Sequence, residues 1–428
     1  MDILITLVSL VVALSILVFV HEFGHYIAAR KAGIVVEEFA IGFPPRLFRL
    51  LHTRGKIVIG GRTLIIPSNL TLPQGLQAGS RVRIESTTDD KDRWVLGHIE
   101  EVADDQPGAE MAQEIEFLDP GTLFTVNAIP FGGYAKMLGE EDPTHPGSFA
   151  SKGKFARVVV LAAGATMNLL AAVLFFSLAL GLGGAPVVAD PENAVIQQVV
   201  PGSPAEVAGL QKGDIILKAD SAEILKMQDL VEHLWAARGQ AAVLQVQRGD
   251  HLLEVNVVPR VNPPDGEGPI GVALGACTTI RFFSWHEALW VGARQTASSV
   301  ALIVTLPVQL IQGLIPAEAA RPVGPVGLGQ IMGDAVNYSL DTGWWFPVIQ
   351  LMGSLSVALA VTNLLPLPGL DGGRILFVIV EAIRGRRVDP AREGLVHLIG
   401  LMLLVMLMLF ITWQDLSDPI RLDWSAIF

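Results

Sequence analysis

The sequence holds a single cysteine, Cys277, so an internal disulfide is impossible and thiolate metal sites of the zinc-finger kind are excluded. Charge is scarce: Asp, Glu, Lys and Arg make up only 17% of the 428 residues, against about 25% in ordinary globular domains. Basic charge is scarcer still. There are 30 Lys and Arg against 42 Asp and Glu, a net charge of −12, and nothing in that balance favours nucleic acid. Apolar residues take the space, at 51% of the chain and a mean hydropathy of +0.49. This excludes a disordered chain and an ordinary soluble enzyme, and points to a polytopic α-helical membrane protein with soluble parts.

Four apolar runs are long enough to cross a bilayer: 3–20, 158–182, 344–365 and 395–413. At 1.5 Å per residue, the eighteen residues of the first cover about 27 Å, close to a hydrocarbon core of roughly 30 Å. With their flanks they are expected to form about four transmembrane helices, over 1–32, 157–183, 344–383 and 394–414. A signal peptide competes for the first run, but Asp2 is the only charge near its start and no small-residue cleavage pattern follows. The stretch 284–316 is interrupted by Arg294, Gln295, Pro307, Gln309 and Gln312. It reads as an amphipathic interfacial helix, with a true span as the alternative. Three basic sets, around Arg30 and Lys31, Lys152 to Arg157, and Arg374 to Arg392, should be cytoplasmic. Both termini and the region between the second and third spans then lie outside.

Two soluble regions interrupt the spans. Region 33–156, on the cytoplasmic side, contains alternating runs such as KIVIGG, RTLIIPS, RVRIES and TLFTVNAIP and reads as β-rich. From Arg81 to Asp119 it carries twelve acidic residues against four basic ones, as a solvated face does. Region 186–276, outside, reads as a compact α+β domain: strand NAVIQQVV, helix MQDLVEHLWAARG, strands AAVLQVQRG and HLLEVNVVP.

The chemistry sits at the end of the first span, in His21-Glu22-Phe23-Gly24-His25. Histidines at i and i+4 lie one turn apart on one helix face, so both imidazoles can reach one ion, and two imidazoles suit zinc. Glu22 can act as general base on a water at that ion. Ionisable groups at membrane depth are costly and normally have a purpose; a pair of interfacial histidines is the plain alternative. A catalytic zinc needs a third protein ligand. The best candidate is Asp371 in LDGG, at the same depth after the helix-breaking NLLPLPG; its competing role is a helix N-cap. Asn363 can bind a substrate carbonyl or a neighbouring helix. Gly24 and Gly164 offer places for close helix approach. His52, His98, His145, His233, His251, His286 and His397 lack paired spacing and are read as non-catalytic.

HEFGH, NLLPLPGLDGG and GSPAEVAGLQKGDIIL, with AIPFGGYAKMLGE, GATMN and GPVGLGQ, together resemble the site-2 protease family, and within it the bacterial regulator-of-sigma-E protease branch. The resemblance covers most of the chain. It implies one catalytic Zn2+ held by His21, His25 and Asp371, with Glu22 catalytic and Asn363 contacting substrate. It also implies a single PDZ domain over 186–276 with a peptide or protein ligand, a bacterial inner-membrane location, and single-pass membrane proteins as substrates. The chain departs from the family's pattern between IGFPPRL and AIPFGGY, where about 60–121 reads as an inserted acidic β-rich module in the cytoplasm.

A helical substrate must be unwound before water can attack its carbonyl carbon, and an exposed strand edge can pair with the unwound backbone. Segment 122–138 is expected to be a membrane-associated β-hairpin turning at Pro130-Phe131-Gly132-Gly133, with Gly132, Gly133 and Tyr134 offered to substrate; an ordinary structural hairpin is the alternative. Pro269–Val272 reads either as a carboxylate-binding loop of the α+β domain or as a closing strand. Two other functions compete: a membrane-anchored zinc protease with its site in a soluble domain, and a PDZ scaffold without hydrolysis. Both conflict with HExxH continuing directly from an apolar run.

Overall fold

A computed structural model describes residues 3–424 except 74, 103–111, 141, 225, 265, 317–320, 421 and 423, so part of the acidic insert lies outside the described residues. The chain forms two units, 1–178 with 286–421, and 179–285 with 422–428.

The first unit opens with helix α1 (Ile3–Lys31), in which the apolar run and HEFGHYIAAR form one continuous helix. Arg30 and Lys31 in its last turn complement the helix dipole, and Gly33, at φ +70°, follows its end. Strand β1 (Val36–His52) is followed by β2 (Gly55–Ile59), β3 (Arg62–Ile66), β4 (Arg81–Thr88), β5 (Trp94–Glu101), β6 (Gln113–Asp119) and β7 (Leu123–Met137). Strands β2 to β6 close a barrel in the order β2-β3-β5-β4-β6. Their alternate residues, Ile57, Ile59, Leu64, Ile66, Val82, Leu96, Ile99, Ile115 and Leu118, fill its interior. The insert is therefore a small domain with its own core. Arg30 on α1 pairs with Asp119 on β6 at 2.6 Å.

Strands β1 and β7 each bend, at Gly42 (φ +83°) and Gly132 (φ +90°), and their four arms interleave. Arm 36–41 lies between 133–137 (Ile41 opposite Gly133) and 123–126 (Ile41 opposite Val126), while 46–52 pairs with 123–127. The expected turn of the 122–138 hairpin is present, but its two arms pair with β1 and not with each other, because 36–41 inserts between them. Helix α2 (Lys154–Leu178) follows, ending in a π-helical turn, Ala179–Gly183.

The second unit holds β8 (Ala185–Val199), α3 (Pro204–Val207), β9 (Ile215–Ala219), β10 (Ala222–Glu223), α4 (Met227–Ala236), β11 (Ala242–Arg248), β12 (His251–Val257) and β13 (Val272–Arg281). The sheet runs β12-β11-β9-β8-β13, with β10 on β9. Leu230 and Leu234 of α4 bury against Ile196, Ile216, Leu244 and Val246. Val272 opens β13 opposite Val199 of β8, so this part of Pro269–Val272 is strand.

Five helices complete the first unit: α5 (Trp285–Ile311), α6 (Pro325–Thr342), α7 (Phe346–Leu364), α8 (Asp371–Arg384) and α9 (Pro390–Ser417). Among the described residues α1, α2, α5, α7 and α9 are long and apolar enough to cross a membrane, one more than the four expected. The additional one is α5, which runs unbroken through Pro307. The expected third element, 344–383, is two helices, because Pro366 and Pro368 end α7. Helix α6 was not anticipated beyond its GPVGLGQ motif. Its Gly329 and Gly333 sit against Leu10 and Thr6 of α1, close enough that a side chain at either would crowd them.

The bundle directions follow from its contacts. His25 meets Val160 and His21 meets Asn168, so α2 runs antiparallel to α1. Ala13 and Leu17 pack with Met352, and Val18 and His21 with Leu359 and Asn363, so α7 runs parallel to α1.

Candidate metal centre

His21 and His25 point from one face of α1, and the prolines after α7 bring the chain back so that α8 starts at Asp371 beside them. The return is tight: a side chain at Gly372 would strike the backbone of Leu364 and Leu365, and one at Gly373 that of Leu367. Two successive glycines after Asp371 are thus a steric requirement of this turn.

Three ligand atoms converge. His21 Nε2 lies 3.0 Å from Asp371 Oδ2, His25 Nε2 lies 3.1 Å from the same oxygen, and the two Nε2 atoms are 3.2 Å apart. Zinc bonded tetrahedrally at about 2.0–2.1 Å holds its ligand atoms roughly 3.3 Å from one another. The triangle is therefore the size of one face of a zinc tetrahedron. Both imidazoles are buried, at 7% and 5% exposure. Among the described residues this is the one group of three His, Cys, Asp or Glu placed to share an ion.

The donor chemistry fits a metal. His25 Nδ1 donates to the carbonyl of Val160 at 2.8 Å, which leaves the Nε2 lone pair facing the cluster. Gly164 of α2 lies against the pair, where a Cβ would come within 2.7 Å of His21 Nε2 and would also strike His25 Nε2. Asp371 occupies the first turn of α8, but its carboxylate faces the histidines and the helix has no side-chain cap. The N-cap position of α8 is Leu370, one residue before Asp371.

Glu22 lines a cavity of about 200 Å³ together with Val18, His21, Asn168, Leu359, Asn363, Gly369, Leu370 and Asp371. Its Oε2 accepts the backbone N–H of Ala135 at 3.1 Å, which sets arm 133–137 alongside α1. Asn363 reaches the same cavity from the end of α7. Of the expected hairpin residues, Gly133 lies between β1 and α1, where a Cβ would meet the Ala40 carbonyl oxygen at 2.7 Å and Val18 at 3.7 Å, while Gly132 and Tyr134 pack against Phe43. Residues that sequence reasoning did not place here are Val160, Gly164 as a wall against the imidazoles, and Asn168. GATMN, which contains the last two, was the available signal.

Over residues 9–59 and 108–407 the chain matches peptidase family M50; the interruption falls within the barrel. It is 30% identical to zinc metalloprotease RasP of Oceanobacillus iheyensis, over 96% of this chain and 99% of that one. It is also 30% identical to zinc metalloprotease RasP of Geobacillus kaustophilus, over 96% of this chain and 98% of that one. To the regulator of sigma-W protease RasP of Bacillus subtilis it is 28% identical, over 96% and 98%.

Proposed function

The chain belongs to peptidase family M50, and from that premise we propose that it is an intramembrane zinc endopeptidase cutting the transmembrane segments of single-pass membrane proteins. The observation that carries this reading is the convergence of His21, His25 and Asp371 beside Glu22, where α1, long and apolar enough to span a bilayer, meets the start of the short helix α8. His21, His25 and Asp371 would hold one Zn2+, which when bound would supply Lewis acidity to polarise a carbonyl and acidify water.

Glu22 takes the proton of the attacking water on its carboxylate and passes it to the leaving amine. The Ala135 N–H holds one of its oxygens, which orients the other toward the cavity. Asn363 donates its amide N–H to a substrate carbonyl. Arm 133–137, with Gly132, Gly133 and Tyr134, offers its outer edge to the unwound substrate backbone. The closeness of this edge to Glu22 supports that role over a purely structural one.

The membrane topology has four crossings, by α1, α2, α7 and α9. Helix α2 leads away from the metal level and α7 returns to it, so everything between enters and leaves on one side. A complete crossing by α5 would need a second before Phe346, and α6, of 18 residues, is not among the helices apolar enough. Helix α5 is accordingly embedded without crossing. The three basic sets meet near the metal end, where Arg157 pairs with Glu381 and Arg374 with Glu140. That end and the barrel are cytoplasmic, and the second unit is an external PDZ domain that screens substrates. The B. subtilis relative is named a regulator of sigma-W protease; in keeping with that, anti-sigma factors are the proposed substrates of this chain, with remnant signal peptides a second class.

In the purified protein, Glu22→Gln should keep its zinc and lose cleavage of a model transmembrane substrate. Asp371→Ala should lose zinc by elemental analysis. Cleavage by the first variant, or full zinc occupancy in the second, rejects the corresponding role.

A further inference from the structure

We propose that Asn168 is a positioning residue for the metal centre, holding His21 in the tautomer that turns the Nε2 lone pair toward the ion. This rests on the zinc reading above and deepens it.

Asn168 is completely buried on α2, in an otherwise apolar stretch. Its Nδ2 lies 3.3 Å from His21 Nδ1, and its Oδ1 is buried without a partner. The backbone on which it stands is fixed, because Ser356 Oγ on α7 donates to the Asn168 carbonyl at 2.7 Å. The amide is therefore delivered to His21 by two packed helices.

The chemistry of the ring then decides what the amide must do. If His21 is to bind an ion through Nε2, its proton resides on Nδ1, and Nδ1–H needs an acceptor. Asn168 Oδ1 is the acceptor at hand. The amide oxygen and nitrogen have nearly the same shape, so a half-turn about Cβ–Cγ brings Oδ1 to Nδ1 without extra room. In the opposite tautomer, Nε2–H donates to Asp371 Oδ2 and Nδ1 accepts from Nδ2. Asn168 can thus serve His21 in either state, which an acceptor-only group cannot. His25 has no such dependence, since its Nδ1 partner is the Val160 backbone carbonyl. Of the two imidazoles, His21 is the one whose orientation is set by a replaceable side chain.

The test uses the full-length protein in detergent, with zinc dissociation constants from chelator competition, the visible spectrum of the Co2+-substituted protein, and the melting temperature of the metal-free form. Asn168→Leu keeps the volume and removes the acceptor; zinc binding should weaken by about 10- to 100-fold. Asn168→Asp keeps an acceptor and should bind within about threefold of wild type, with a wild-type Co2+ spectrum. Metal-free melting should change little in Asn168→Leu. Unaltered zinc affinity in Asn168→Leu overturns the proposal, as does equal weakening in both variants, which is the mark of a packing role. If the Asp variant does not fold, the Leu variant alone decides. Wild-type protein that binds no zinc brings down the proposed function as well; tight wild-type binding with an indifferent Leu variant removes only the role of Asn168.

Discussion

Gly164 to Ala adds one methyl group, and the structure places that methyl on the metal side of α2. Its carbon would lie 2.7 Å from His21 Nε2 and 2.8 Å from His21 Cε1, and closer still to His25 Nε2. Ordinary contact distances are about 3.5 Å, so the shortfall is roughly 0.7–0.8 Å against His21 and larger against His25. His25 cannot yield freely, since its Nδ1 is tied at 2.8 Å to Val160, one turn before Gly164 on the same helix. Either α2 backs away or the imidazoles turn. For the fold the terms nearly offset: Ala gains about 1 kcal/mol over Gly in helix propensity, and overpacking costs about 1–3 kcal/mol. A net loss of about 0–2 kcal/mol leaves the protein folded. For the site there is no such offset, because a misplacement approaching 1 Å costs about 100-fold in activity. Gly164→Ala should therefore melt near wild type while losing zinc affinity and cleavage by about two orders of magnitude. Gly394→Ala on α9, where a Cβ would meet nothing within 4 Å, is the matched control and should leave both unchanged. A Gly164→Ala protein that binds zinc and cleaves like wild type would refute the packing of α2 against the two histidines.

Arg157 and Glu381 form a buried ion pair at 2.6 Å that ties α2 to α8, the helix that carries Asp371. Replacing Arg157 alone with Met should cost about 3–5 kcal/mol in reversible unfolding, and the double replacement by Met should recover most of it; equal losses in the single and double variants would contradict this. The barrel enters and leaves at adjacent points, with Thr53 N–H donating to the Thr122 carbonyl at 3.0 Å. Replacing residues 55–119 with a short Gly-Ser linker should thus preserve zinc content and cleavage of a purified substrate, and loss of zinc would show that the barrel supports the site directly.

How much of this was readable in the sequence depends on how local each feature is. The pair His21 and His25 was, because i and i+4 on a helix share a face whatever surrounds them. The barrel strands and the α+β unit were, because a period of two marks which residues face inward. Asp371 was readable only as a candidate, since nothing in LDGG by itself separates a ligand from a helix cap; the nearness of its oxygen to two imidazoles supports the ligand reading. The interleaving of β1 with β7 was not, because the partner arms are separated by the whole barrel and pairing across that distance leaves no periodic trace. Helix α6 escaped for a different reason: its glycines serve close packing on α1, yet in a sequence they read as breaks. The least legible features were Gly164 and Asn168. In a membrane helix both the lipid-facing and the protein-facing sides are apolar, so hydropathy locates α2 but leaves its rotation about its own axis undetermined. Only the packed bundle turns Gly164 and Asn168 toward the histidines. The metal site is accordingly read from two sources: donor identity from α1 and LDGG, and donor orientation from the face that α2 happens to present.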